Sequence, residues 1–148
     1  MKSQAWTKIV IAGVAGTLAF TVFRLLGPIF GLPPMDMGKM LGTMNPMMTL
    51  PYAMGWVMHF VIGTVLTAIY ALFLMDKLPS EGWAQGMIYS LIPWLVMSLM
   101  LAPMMGMGLF GGTMGAAIGG LLGHLAYGAT IGYILARPDS AEPAEASS

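Results

Sequence analysis

Two histidines share one spacing, Gly55-x3-His59-x3-Gly63 and Gly120-x3-His124-x3-Gly128, and the chain contains no others. Residues four apart lie on one helical face, so each imidazole would sit in a groove with a glycine above and below it. Two kinds of chemistry use such a groove. Small residues let helix backbones approach inside a membrane, where a histidine can hydrogen-bond across the contact. A flat tetrapyrrole also needs clearance beside its axial ligand, and two facing histidines could hold one haem b iron. His59 and His124, with Gly55, Gly63, Gly120 and Gly128, are therefore the residues expected either to bind a cofactor or to pack helices.

Methionine supplies the second cluster, with 17 in 148 residues. Met35, Met37, Met40, Met44, Met47 and Met48 fill one connection, while Met97, Met100, Met104, Met105 and Met107 lead into another. Thioether sulfur is a soft ligand suited to Cu(I), and Met100-x3-Met104 would put two sulfurs on one helical face. The simpler role for these side chains is flexible apolar filler. Cysteine is absent, which removes disulfides, thiolate metal sites and iron–sulfur clusters together. No nucleophile–base–acid set, phosphate-binding glycine loop or carboxylate pair in an apolar setting is visible, so an enzyme is not expected.

The elements that carry these residues follow from charge and hydropathy. Hydrophobic residues make up 57% of the chain, against six Lys or Arg and six Asp or Glu. No charged residue occurs between Lys39 and Asp76 or between Glu81 and Arg137. A membrane span needs about 20 apolar residues to cross roughly 30 Å of hydrocarbon, and continuous runs of that length read as helices rather than barrel strands. The sequence thus predicts an all-α integral membrane four-helix bundle, with spans near 7–26, 51–75, 82–105 and 113–136. Residues 1–137 form the membrane domain, and 138–148 a polar tail with too little apolar content to order itself. Net charge is zero with no basic run, so nucleic acid is not an expected partner.

Lys2 and Lys8 ahead of an apolar stretch have the look of a signal peptide, but the segment is read as a retained first helix. Arg24, near the end of that helix, is expected to snorkel to the interface. Gly31 to Leu50 reads as a connection too broken for a regular helix, and Pro93 as a kink whose freed carbonyl Ser90 or a neighbouring helix satisfies. Lys2, Lys8, Lys77 and Arg137 fall on one side and Arg24 and Lys39 on the other, which places both termini in the cytoplasm. The shared histidine spacing, with "LLGPIFGL" and "MLAPMMGM" in matching places, predicts two repeated helical hairpins related by an axis along the membrane normal.

Met100-x3-Met104, followed by glycines at 111, 115, 119 and 123, resembles eukaryotic copper transporters over the third and fourth helices; those transporters have three spans per subunit, where this chain has four. As a whole, residues 5–137 resemble small four-helix bacterial membrane proteins of unknown function, which implies a bacterial inner membrane and no particular activity. The expectation is a non-catalytic subunit that packs its glycine-rich faces against other subunits of a larger complex, in the lipid bilayer, with electron transport as its setting. The alternatives are a haem b or Cu(I) protein using the histidines or the methionines, and a small-solute transporter.

Overall fold

The computed structural model describes residues 5–44, 47 and 50–138; Met48 and the predicted tail from 139 onward lie outside the described residues. Four helices are long and apolar enough to cross a membrane, as a multi-pass membrane protein requires. The first, α1 (Trp6–Leu26), ends where Gly27 and Pro28 tighten the chain into a 3-10 turn, and Gly31 leaves that turn in the left-handed region. A short helix, α2 (Met37–Gly42), follows inside the connection expected to be irregular. Asp36 starts it by accepting a hydrogen bond from the Lys39 amide at 3.0 Å, an N-cap the glycine and proline content obscured.

The second span, α3 (Tyr52–Leu74), begins after Pro51 and closes in a π turn over Tyr70–Leu74. The third, α4 (Gly82–Met104), contains Pro93 and also widens into a π turn, Met97–Leu101. Proline removes one rung of the helical ladder, and inserting a π turn nearby changes the facing of everything after it. Ser90 does not serve the carbonyl that Pro93 frees; its hydroxyl donates to the Met87 carbonyl at 2.7 Å. The last helix, α5 (Met114–Ala136), is capped by Thr113, whose hydroxyl accepts from the Ala116 amide at 3.1 Å.

Packing runs in a row: α3 against α1, α1 against α5, α5 against α4, with α2 seated on the N-terminal end of α3. Glycine sets the closest approaches. At the α4–α5 contact a Cβ on Gly86, Gly128 or Gly132 would run into backbone of the opposite helix. Gly63 meets the Thr17 side chain of α1, and Gly55 meets the Gly38 and Gly42 backbone of α2. Outward faces carry Val10, Val14, Leu18 and Val22 on α1 and Val57, Val61 and Val65 on α3, all exposed as lipid contact demands. Lys8 Nζ donates to the Arg137 carbonyl at 2.5 Å, so the beginning of α1 and the end of α5 share one end of the bundle.

That end is also where the core closes. Ile9, Ala12, Tyr70, Tyr89, Tyr127, Ile131 and Leu135 form the buried cluster. Tyr70 stacks on Tyr89 with ring centroids 4.9 Å apart, and Tyr89 donates to the Leu66 carbonyl at 2.7 Å. Gln85 accepts from Tyr70 at 2.8 Å and turns its amide to the carbonyls of Met75, Leu78 and Ser80, tying the α3–α4 turn shut. Tyr127 donates to the Gly63 carbonyl at 2.7 Å beside Thr67.

The packing is not that of two equal halves. In an exact two-fold arrangement the α1–α5 contact would have an α3–α4 counterpart, but α3 and α4 meet mainly through these side chains and stay apart along the rest of their length. Arg24 also departs from the free, snorkelling side chain expected: it is 3% exposed and lies against α5 at Gly119 and Gly123.

Candidate functional site

Where α3 and α4 stay apart, a cavity of about 470 Å³ opens between them. Thr17 and Phe20 of α1 and Ala116, Gly120, His124 and Tyr127 of α5 line it, with His59, Ile62 and Leu66 on α3 and Trp94 and Met97 on α4. Its end remote from Lys8 and Arg137 is built from thioethers: Met35, Met37, Met40 and Met44 come from α2 and its flanks, and Met105 and Met107 from just beyond α4. The wall is therefore apolar and adaptable, with a few polar atoms set into it, which is the usual make-up of a small-molecule site.

Both histidines belong to this wall, and Phe20 lies against both of them. Its ring centroid is 5.4 Å from that of His59 and 5.1 Å from that of His124. The hydrogen bonds fix what each imidazole offers. Thr21 Oγ1 lies 2.8 Å from the Thr17 carbonyl, which takes its single proton, so His59 Nε2–H donates to Thr21 Oγ1 at 3.1 Å and Nδ1 keeps a lone pair. His124 Nδ1–H donates to the Gly120 carbonyl at 2.8 Å, which leaves Nε2 as a lone pair. Trp94 also lines the cavity, but its Nε1–H is covered by neighbouring atoms and has no hydrogen-bond partner.

The four glycines of the histidine spacing do unlike things. Gly55 and Gly63 are taken up by α2 and α1, and Gly128 by α4. Gly63 and Gly120 both border the cavity, but only at Gly120 is there room for a side chain, where an added Cβ would come 3.4 Å from Trp94 Nε1. No macrocycle clearance is built around both imidazoles, because three of these glycines are filled by protein and Phe20 lies against both rings. A bis-histidine haem does not fit this arrangement.

Met100 and Met104 are 59% and 80% exposed and do not border the cavity, so they form no enclosed sulfur pair. Among the described residues no group of three or more His, Cys, Asp or Glu could hold a metal ion. Sequence reasoning did not single out Phe20, Trp94 or Thr21 for the site. A usable signal existed for Phe20, since it shares the α1 face of Gly13, Thr17 and Arg24, the only strip of that helix with polar and glycine residues in register.

No curated protein and no solved structure matches the chain. A family model does match, across residues 4–146 and so across all four spans. The chain belongs to the DUF6789 family, a family of unknown function.

Proposed function

We propose that this protein is a non-enzymatic membrane receptor or carrier that holds a lipophilic small molecule in the cavity between α3 and α4. The observation that carries the reading is the cavity itself, about 470 Å³, apolar, and edged by His59, His124 and Trp94. Two imidazole lone pairs would orient a ligand that enters from the lipid phase, while Met37, Met40, Met97 and Met105 adapt to its shape.

A subunit of a larger complex is the second reading, and the glycine-rich faces were its basis. Those faces are largely spent inside the bundle, at Gly86, Gly128 and Gly132 between α4 and α5 and at Gly63 against Thr17, which moves the balance to the cavity. In a bacterial inner membrane the termini would face the cytoplasm. The burial of Arg24 supports that orientation, because among the described residues it leaves Lys39 as the exposed cation of the opposite end against Lys8, Lys77 and Arg137.

The test is to extract the protein from its native membrane in mild detergent, resolve it by size, and identify co-purifying small molecules by mass spectrometry. A stoichiometric lipophilic compound, lost on Gly120→Leu while the protein still inserts and folds, is the expected result. A protein that carries no such compound and migrates with a large assembly would refute the cavity reading in favour of the subunit. An absorption band of haem in the wild type would overturn both the ligand class and the argument from Phe20.

A further inference from the structure

Arg24 is a cation covered by protein in the last turn of α1. It is 3% exposed, and its Nε and Nη2 are buried with no hydrogen-bond partner. The described carboxylates do not answer it: Asp36 caps α2, and Asp76 and Glu81 flank the turn at the opposite end of the molecule. Leaving a guanidinium this way is costly, because these donors lose water without gaining an acceptor. The α1 C-terminal dipole favours a positive charge in its last turn, but it supplies no acceptor to Nε or Nη2.

The fold nevertheless makes room for this side chain. A Cβ on Gly119 would collide with Nη1, and one on Gly123 would come 3.3 Å from Cδ. The same Gly123 position meets the Phe20 ring at 2.9 Å, so Phe20 and Arg24, one turn apart on α1, lie side by side on α5. Phe20 borders the cavity and Arg24 does not. Of the two neighbouring side chains, only the Phe20 ring faces the cavity.

We propose that Arg24 receives the oxyanion of an acidic amphiphile, a carboxylate or phosphate borne on an apolar chain, whose chain lies in the cavity and whose loading swings Phe20 aside. This rests on the cavity reading above and narrows its ligand class. Guanidinium pairs with carboxylate or phosphate through parallel N–H donors, and Nε with Nη2 is one such edge. The two histidines present lone pairs, which repel an oxyanion, so the charged group is driven past them to Arg24.

The experiment uses the full chain in nanodiscs of zwitterionic lipid, with palmitate, hexadecanol and dioleoyl phosphatidic acid as probes and native mass spectrometry as the readout. Palmitate or phosphatidic acid should bind at least about tenfold more tightly than hexadecanol, equivalent to about 1.4 kcal/mol. Arg24→Gln should erase that preference, and Arg24→Lys should retain part of it. Preference for palmitate identifies a free lipophilic acid as the source, and preference for phosphatidic acid a membrane phospholipid. Gly119→Ala, which displaces Nη1 without removing the charge, should weaken the preference as well, and the wild-type comparison stands even if a variant fails to fold. Equal binding of all three probes overturns the role of Arg24 and leaves the cavity reading intact; binding of none of them overturns both.

Discussion

The same substitution, glycine to alanine, should act in opposite directions at two positions of one sequence motif. Gly120 and Gly128 are the outer members of Gly-x3-His-x3-Gly in α5, and a helix gains up to about 1 kcal/mol when glycine becomes alanine. At Gly120 the new Cβ would come 3.4 Å from Trp94 Nε1, an ordinary contact at the edge of the cavity, so the gain is kept. At Gly128 it would come 2.6 Å from Ser90 Oγ and 2.7 Å from the Gly86 carbonyl carbon, so α4 would have to move away from α5. Overpacking of this kind costs about 1–3 kcal/mol, which leaves a net loss of about 0–2 kcal/mol after the propensity gain. Gly120→Ala should be neutral or stabilised by up to about 1 kcal/mol.

Reversible unfolding in mild detergent with a rising mole fraction of sodium dodecyl sulfate, followed by circular dichroism, measures the difference. It should be about 1–3 kcal/mol between the two variants. Equal stabilities would refute the reasoning, because they would mean that the α4–α5 approach is not set by Gly128. Gly128→Leu and Gly120→Leu extend the test: the first should fail to fold, while the second should fold and exclude ligand.

The other expectations concern the clamp at the end of the bundle where the termini lie, and the outward methionines. Tyr127→Phe removes a hydroxyl that bonds the Gly63 carbonyl and Thr67, and should cost about 1–2 kcal/mol by the same unfolding assay, given about 0.6–1.7 kcal/mol per buried bond between membrane helices. Gln85→Leu removes the Tyr70 bond and the amide that serves three carbonyls; it should cost about 2–4 kcal/mol on that scale and speed hydrogen exchange in the 75–81 turn. Met100→Leu with Met104→Leu should leave stability, bound ligand and any copper content unchanged, whereas Met97→Leu with Met105→Leu should alter ligand retention, as judged by native mass spectrometry.

How much of this was legible depends on whether a residue's depth or its facing mattered. Charge-free runs locate the four apolar helices because depth alone decides them. Facing is harder. Met100 and Met104 share a face in a regular α-helix, but the π turn over Met97–Leu101 changes the residues per turn just there, and Met97, Met105 and Met107 border the cavity instead. Arg24 was assigned by its distance along the helix, which allows snorkelling, when its angular position beside Phe20 and Thr17 carries it inward. The histidine spacing picked out two residues that do border one cavity, yet it could not say what fills each glycine groove, since that depends on which helix arrives there. The α2 cap at Asp36 was readable in principle, but glycine, proline and methionine around it hide a helix of six residues.

The two ends of the cavity are held by opposite kinds of contact, and that difference accounts for its persistence. Toward the termini, Tyr70, Tyr89 and Gln85 set the α3–α4 distance through directional bonds, while Gly86 and Gly128 pin α4 to α5. Those constraints hold the two helices at a fixed divergence, which the thioethers of the other end can line but cannot draw closed. In water, apolar walls would gain by collapsing; in a bilayer they gain almost nothing, because lipid tails are as apolar as leucine. On the proposed reading the slot is filled from the membrane, and the choice among lipophilic occupants falls to its few polar atoms: two imidazole lone pairs and, beside Phe20, the charge of Arg24.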